Sequence, residues 1–166
     1  TVLGLPQPLG DGGAGGSDAL DLYVEGTSAQ PLHVAELATF TSDFDSASVH
    51  CSVGSQQPLE RAAFLCVAEA IAARLSPSET PSLRRAYAAN LWHTLGTPTN
   101  EDLRALDTMQ ANPQVAVLDA PSPEAATGSS LFFQFLANKT RGRSGLHIPT
   151  AVLALAATRT PGEAWR

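Results

Sequence analysis

The stretch PLERAAFLCVAEAIAARL, Pro58 to Leu75, decides the fold. Leu59, Ala62, Ala63, Cys66, Val67, Ala70 and Ile71 recur at helical spacing, and Phe64, Leu65, Ala68 and Ala72 add apolar surface on other faces. A helix apolar on most of its circumference belongs in the interior, so this segment is expected to be central and buried. Pro58 suits its first turn, where no amide donor is needed, and SPSETP, Ser76 to Pro81, ends it. Inside the run stands one carboxylate, Glu69, flanked on the helix by Leu65, Cys66, Ala72 and Ala73. A carboxylate on such a surface costs free energy unless it is paired or neutral. The expectation is a buried Glu69, either paired with an arginine such as Arg61, Arg74, Arg84 or Arg85, or shifted upward in pKa.

Upstream the period changes. ALDLYVE, Ala19 to Glu25, alternates, which predicts a strand with Leu20, Leu22 and Val24 on one face. SASVHC, Ser46 to Cys51, reads as a second strand, and HVAELATFT, from His33, is ambiguous between strand and short helix. Residues 1–17 contain PQPLGDGGAGGS and are too rich in Gly and Pro for a regular element.

Downstream the pattern is helical. A second helix starts near Thr80-Pro81, buries Leu83, Ala86, Tyr87, Asn90 and Leu91, and is expected to stop at Gly96 in the left-handed conformation. TNED, Thr99 to Asp102, resembles a capping box with Asp for Glu and opens a helix to about Gln110. A fourth helix runs through GSSLFFQFLANKT from Gly128, with Leu131, Phe132, Phe135 and Leu136 as its core face and Gly142 and Gly145 as its breakers. A fifth spans about Pro149 to Thr158. The predicted class is α+β: a small N-terminal sheet followed by a helix-dominated array, with residues 18–166 as one domain.

The totals agree. The chain has 166 residues, 43% of them hydrophobic and 16% charged, a globular composition. A net charge of -6 without a basic cluster argues against nucleic acid and anionic membranes. Ile148 to Ala157 contains Pro149 and is too short to span a bilayer. No signal-peptide pattern opens the chain, and TPGEAWR reads as mid-domain sequence, so we expect a fragment of a longer precursor. The two cysteines, Cys51 and Cys66, are expected to form a disulfide, the alternative being two buried thiols. Together with the Gly, Ser and Thr content this points to a secreted protein, and the alanine-rich composition is of the kind GC-rich bacterial genomes encode.

Several chemistries are weighed and set aside. Gly10, Gly12 and Gly15 have dinucleotide-fingerprint spacing, but prolines precede them and a strand follows, so a loop is the better reading. Asp11, Asp18 and Asp21 could offer oxygens to calcium. Thr1 could be an N-terminal nucleophile, with nothing downstream to support it. His33, His50, His93 and His147 include no i, i+4 pair for zinc, and no G-x-S-x-G elbow exists. Each histidine alone is better read as exposed or hydrogen-bonded. Asn138 in NKT fits a glycosylation pattern.

Taken together, GGAGGSDALDLYV, LCVAEAIAARL, LRRAYAANLW and above all GSSLFFQFL resemble secreted bacterial zinc-metallopeptidase-like proteins, the zincins. The resemblance runs from about Asp11 to Trp165. It implies a zincin-like fold in which Ala68-Glu69-Ala70-Ile71-Ala72 occupies the H-E-x-x-H place. Both histidine positions are then alanine, Glu69 is a vestigial general base, and the third-ligand position falls on Arg85. Two alanines and an arginine offer zinc no ligand, so no metal and no cofactor is expected. A second register, with His50 as the second histidine, Glu69 as the third ligand and Ser46 and Ala47 at the first histidine and the base, also loses the metal. The resemblance therefore implies a catalytically inactive, secreted or cell-surface domain with a binding or structural role and a protein or peptide partner. The alternative is a hydrolase, a peptidase, whose catalytic residues lie outside this pattern or on a further downstream segment.

Overall fold

The computed structural model describes residues 5–8, 10, 13, 16–17, 19–25, 32–34, 49–55, 58–76, 79–114 and 120–139. The chain divides into two compact units, Thr1–Pro77 and Ser78–Arg166. The architecture is α+β, with a small sheet first and helices after it. The expected helix at Pro149 to Thr158, the breakers Gly142 and Gly145, and most of HVAELATFT lie outside the described residues.

The first unit holds β1 (Leu22–Glu25), β2 (Leu32–Val34), β3 (Val49–Gly54) and α1 (Leu59–Leu75). The sheet order is β1-β3-β2. β1 runs parallel to β3 and β2 antiparallel, so Cys51 faces Leu22 on one side and Leu32 on the other. As the middle strand, β3 is buried at Cys51, Ser52 and Val53. The strand expected from the alternation is present as β1, and Leu22, Tyr23 and Val24 on it are exposed. The physical reason is position. α1 packs on β3 and β2, and the edge strand lies beyond most of its cover.

α1 meets the expectation of burial in its second half, whereas Leu59 is exposed and Ala62, Ala63 and Phe64 are half-buried. From Leu65 to Ala73 every residue except Val67 is buried. Pro58 is the N-cap rather than the first helical residue, and its carbonyl accepts from the Ala62 amide at 3.0 Å. Cys51 and Cys66 are joined, fixing the centre of the sheet to the centre of the helix with Cα atoms 5.9 Å apart.

The second unit holds α2 (Pro81–Leu95), α3 (Asn100–Ala111), α4 (Pro123–Gly128) and α5 (Ser130–Lys139). Thr80 caps α2 by accepting from the Leu83 amide at 3.2 Å, with Pro81 at the first helical position. The five residues expected inside on α2 are all buried. Gly96 ends the helix, but in extended backbone, with φ -100° and ψ -163°. Its small size serves packing, because a Cβ there would collide with the Trp92 indole. The capping box opening α3 is present: Asp102 Oδ2 accepts from the Thr99 amide at 2.8 Å.

The helix expected from Gly128 is α5, and a short helix not expected from the sequence, α4, precedes it. Ser122 caps α4, accepting from the Ala125 amide at 3.1 Å, and the chain turns at Ser129 into α5. α4 packs on α3 and α2. At Gly128 a Cβ would strike the Ala105 carbonyl oxygen and the Met109 Cβ. Backbone cannot rotate aside as a side chain can. Gly128→Ala is therefore expected to destabilise the protein by about 1–3 kcal/mol, the usual cost of overpacking, read by urea denaturation. An unchanged midpoint would show that α3 and α4 separate freely.

The core face of α5 also differs from expectation. Phe133 is fully buried and meets Tyr87 edge to face, ring centroids 5.8 Å apart, whereas Phe135 is 54% exposed and Leu131, Phe132 and Leu136 are half-buried. Ser130 is the second fully buried residue of α5. Phe133 shares the inward side with Ser130 and Gln134, polar residues that reach His93 on α2, which apolar periodicity cannot register.

Candidate functional site

The positions singled out by the resemblance lie inside α1. Ala68, Glu69 and Ala72 are 2%, 5% and 0% exposed. Burial of Glu69 is as expected from its apolar neighbours. Arg85 belongs to the second unit, on α2, and is half-buried. Of its other suggested partners, Arg61 and Arg74 are on α1, and Arg84 is buried on α2 with a guanidinium nitrogen donating to the Glu79 carbonyl at 3.1 Å. His50 is half-buried on β3, its ring edge-on to Tyr23 at 5.7 Å. Tyr23 donates to the Asp21 carboxylate at 3.1 Å. Asn138 is exposed on α5. Thr1, Asp11, Asp18, Gly12, Gly15, Ser46, Ala47 and His147 lie outside the described residues. Among the described residues, no group of three or more His, Cys, Asp or Glu is placed to hold a metal ion.

The second unit assembles a polar cluster that the sequence did not disclose. Asp102 is fully buried one turn into α3. Its Oδ2 accepts three hydrogen bonds: from the Thr99 amide at 2.8 Å, the Thr99 hydroxyl at 2.9 Å and the Trp92 indole nitrogen at 3.0 Å. The capping residue is thus also the anchor of the α2 terminus. Its other oxygen, Oδ1, lies 3.8 Å from His93 Nε2. His93 occupies the last turn of α2, and its side chain is 5% exposed.

The opposite edge of the imidazole meets α5. Ser130 Oγ is 3.2 Å from His93 Nδ1, and Gln134 Nε2 is 3.4 Å from the same nitrogen. An amide nitrogen only donates, so Nδ1 is assigned as the acceptor and Nε2 as the protonated nitrogen turned to Asp102. The resulting order is hydroxyl, imidazole, carboxylate. The order is that of a nucleophile, a base and an acid, but the 3.8 Å between His93 and Asp102 exceeds hydrogen-bonding distance and all three side chains are buried. Ser130 itself is fully buried. Its neighbour Ser129 instead donates to the Ala125 carbonyl at 3.0 Å.

Part of this was within reach of the sequence. The capping box placed Asp102, and α2 placed His93 near its end. Ser130 was read only as the opening of an apolar helix, because nothing local connects residues 37 apart in the chain. Among the described residues no helix is long and apolar enough to cross a membrane. Compared with known proteins, the chain matches no family model, no curated protein and no solved structure.

Proposed function

We propose that the chain is a metal-free relative of zinc metallopeptidases, inactive as a peptidase, that serves a secreted or cell-surface protein as a binding or structural domain. The observation that carries this reading is the burial of Glu69 at 5% exposure between Ala68 and Ala72. A general base must reach the water it activates, and a zinc centre needs ligands where these alanines stand. The disulfide between β3 and α1 supports an oxidising compartment. The expected partner is a protein or peptide. Leu22, Tyr23 and Val24 on edge strand β1 offer it exposed apolar surface.

The test is direct. Elemental analysis of the purified protein is expected to find no stoichiometric zinc, and casein hydrolysis should stay at background with or without added zinc. Near one zinc per chain would sink the reading.

One observation favours a second reading, a hydrolase whose residues lie outside the metallopeptidase pattern. It is the ordered contact of Ser130, His93 and Asp102 in the second unit.

A further inference from the structure

We propose that the outer edge of β1 is a strand-addition site for an extended segment of another protein in which apolar and basic residues alternate. The proposal rests on the binding-domain reading and names its surface, its mode of binding and the chemistry of its partner.

The apolar face of the sheet runs on past its cover. Cys51 and Val53 on β3 are 0% and 1% exposed, and the register sets Leu22 beside Cys51 and Val24 beside Val53. Partners in register share a face, and the disulfide to Cys66 marks this face as the one α1 covers. Leu22 and Val24 are nevertheless 40% and 59% exposed. Among the described residues, no strand pairs with the outer edge of β1.

The backbone of that edge is directed outward at the same two residues. The Cys51 amide donates to the Asp21 carbonyl at 2.9 Å, so Asp21 addresses β3. Successive residues of a strand address opposite neighbours, which leaves Leu22 and Val24 to turn their N–H and C=O groups away from β3. An extended chain laid there finds donors and acceptors at both residues, and its side chains on one face fall on Leu22 and Val24. Exposed edges are commonly blunted by Lys, Pro or a bulge. The strand LYVE holds neither Lys nor Pro, and its pairing with β3 runs unbroken from Leu22 to Glu25.

Charge selects the occupant. Thr1–Pro77 carries nine Asp and Glu against two Arg, whereas Ser78–Arg166 carries seven against eight Lys and Arg. The whole negative excess of the chain, -6 in all, therefore lies on the unit that holds β1. On the Tyr23 face, the Asp21 carboxylate stands at the start of the strand, hydrogen-bonded to the Tyr23 hydroxyl. A second copy of the chain would bring two acidic units together. The charge favours a different chain, apolar on the Leu22 face and basic on the Tyr23 face.

The experiment uses the full chain and a blocked hexapeptide of alternating Lys and Val, followed by isothermal titration calorimetry. Saturable binding is expected, with hydrogen exchange slowed in β1 alone. The matching Glu-Val peptide should bind at least ~10-fold more weakly through charge repulsion. A Lys-Val peptide N-methylated on alternate amides keeps its charge and loses its donors, and should weaken as much. Val24→Pro alters an amide that does not serve β3, so the variant should stay folded by circular dichroism and bind at least ~10-fold more weakly. Val24→Lys, which sets like charge against the peptide, is the second variant and should do the same. Equal binding of the N-methylated peptide overturns strand addition, and equal binding of the Glu-Val peptide overturns the basic partner. The proposal also fails if the Lys-Val peptide does not bind, if protection falls outside β1, or if the native protein is a dimer that Val24→Pro disperses. None of these outcomes alters the zinc content, on which the metal-free reading is tested separately.

Discussion

Phe133→Ala should lower stability by about 3–5 kcal/mol, the range for deleting a buried phenyl ring. Phe133 is the large side chain through which α5 enters the core, fully buried against the edge of Tyr87, itself fully buried on α2. The loss has two parts. The apolar surface of the ring returns no transfer energy, and the space it leaves is walled by α2, which cannot collapse without moving its own buried run from Ala86 to Trp92. The edge-to-face pair with Tyr87 contributes a further share, about 0.5–1.5 kcal/mol of that kind of contact. Phe135→Ala, one helical step away on the exposed side, is the control and should change stability by less than about 0.5 kcal/mol. Urea denaturation of both variants checks this. Equal effects would mean that α5 is rotated from the orientation described.

Removing the disulfide should have the next largest effect. Cys51 and Cys66 are 15 positions apart, and closing a loop of that size restricts the unfolded chain by about 3 kcal/mol. Both residues are fully buried, one in the middle strand and one in the buried half of α1. The double variant Cys51→Ala, Cys66→Ala should therefore unfold at lower urea with α1 still able to pack on β3. Mass spectrometry of the non-reduced protein after alkylation should find no free thiol at either position. Two alkylated cysteines would remove the basis of this prediction and of the oxidising compartment.

The helices were legible where the signal is local. The 3.6-residue period and Pro58 placed α1, Thr80-Pro81 placed the start of α2, and Thr99 with Asp102 placed that of α3. Each depends on residues within a turn or two of one another. The errors are non-local. Alternation showed β1 as a strand, but its place at the sheet edge follows from pairing with β3, which is distant in sequence. Gly96 was read as a left-handed stop, yet what requires it is the indole of Trp92. Likewise α5 was turned to its phenylalanines, whereas Ser130 and Gln134 face His93. Polarity in a sequence shows what a residue costs to bury, not whether a partner waits for it inside.

The register of the sheet also sets a timetable for synthesis. β1 and β2 do not pair with each other, so neither has a strand partner until Val49–Gly54 has been made. Both strands pair at Cys51, which Leu22 and Leu32 flank from opposite sides. All three strands of the sheet are thus synthesised before its covalent tie can exist. Cys66 follows 15 residues later, about one to three seconds at ordinary elongation rates. During that interval the Cys51 thiol is a reduced group on a nascent chain, and any thiol-capturing oxidoreductase that meets the chain then meets Cys51 without its native partner.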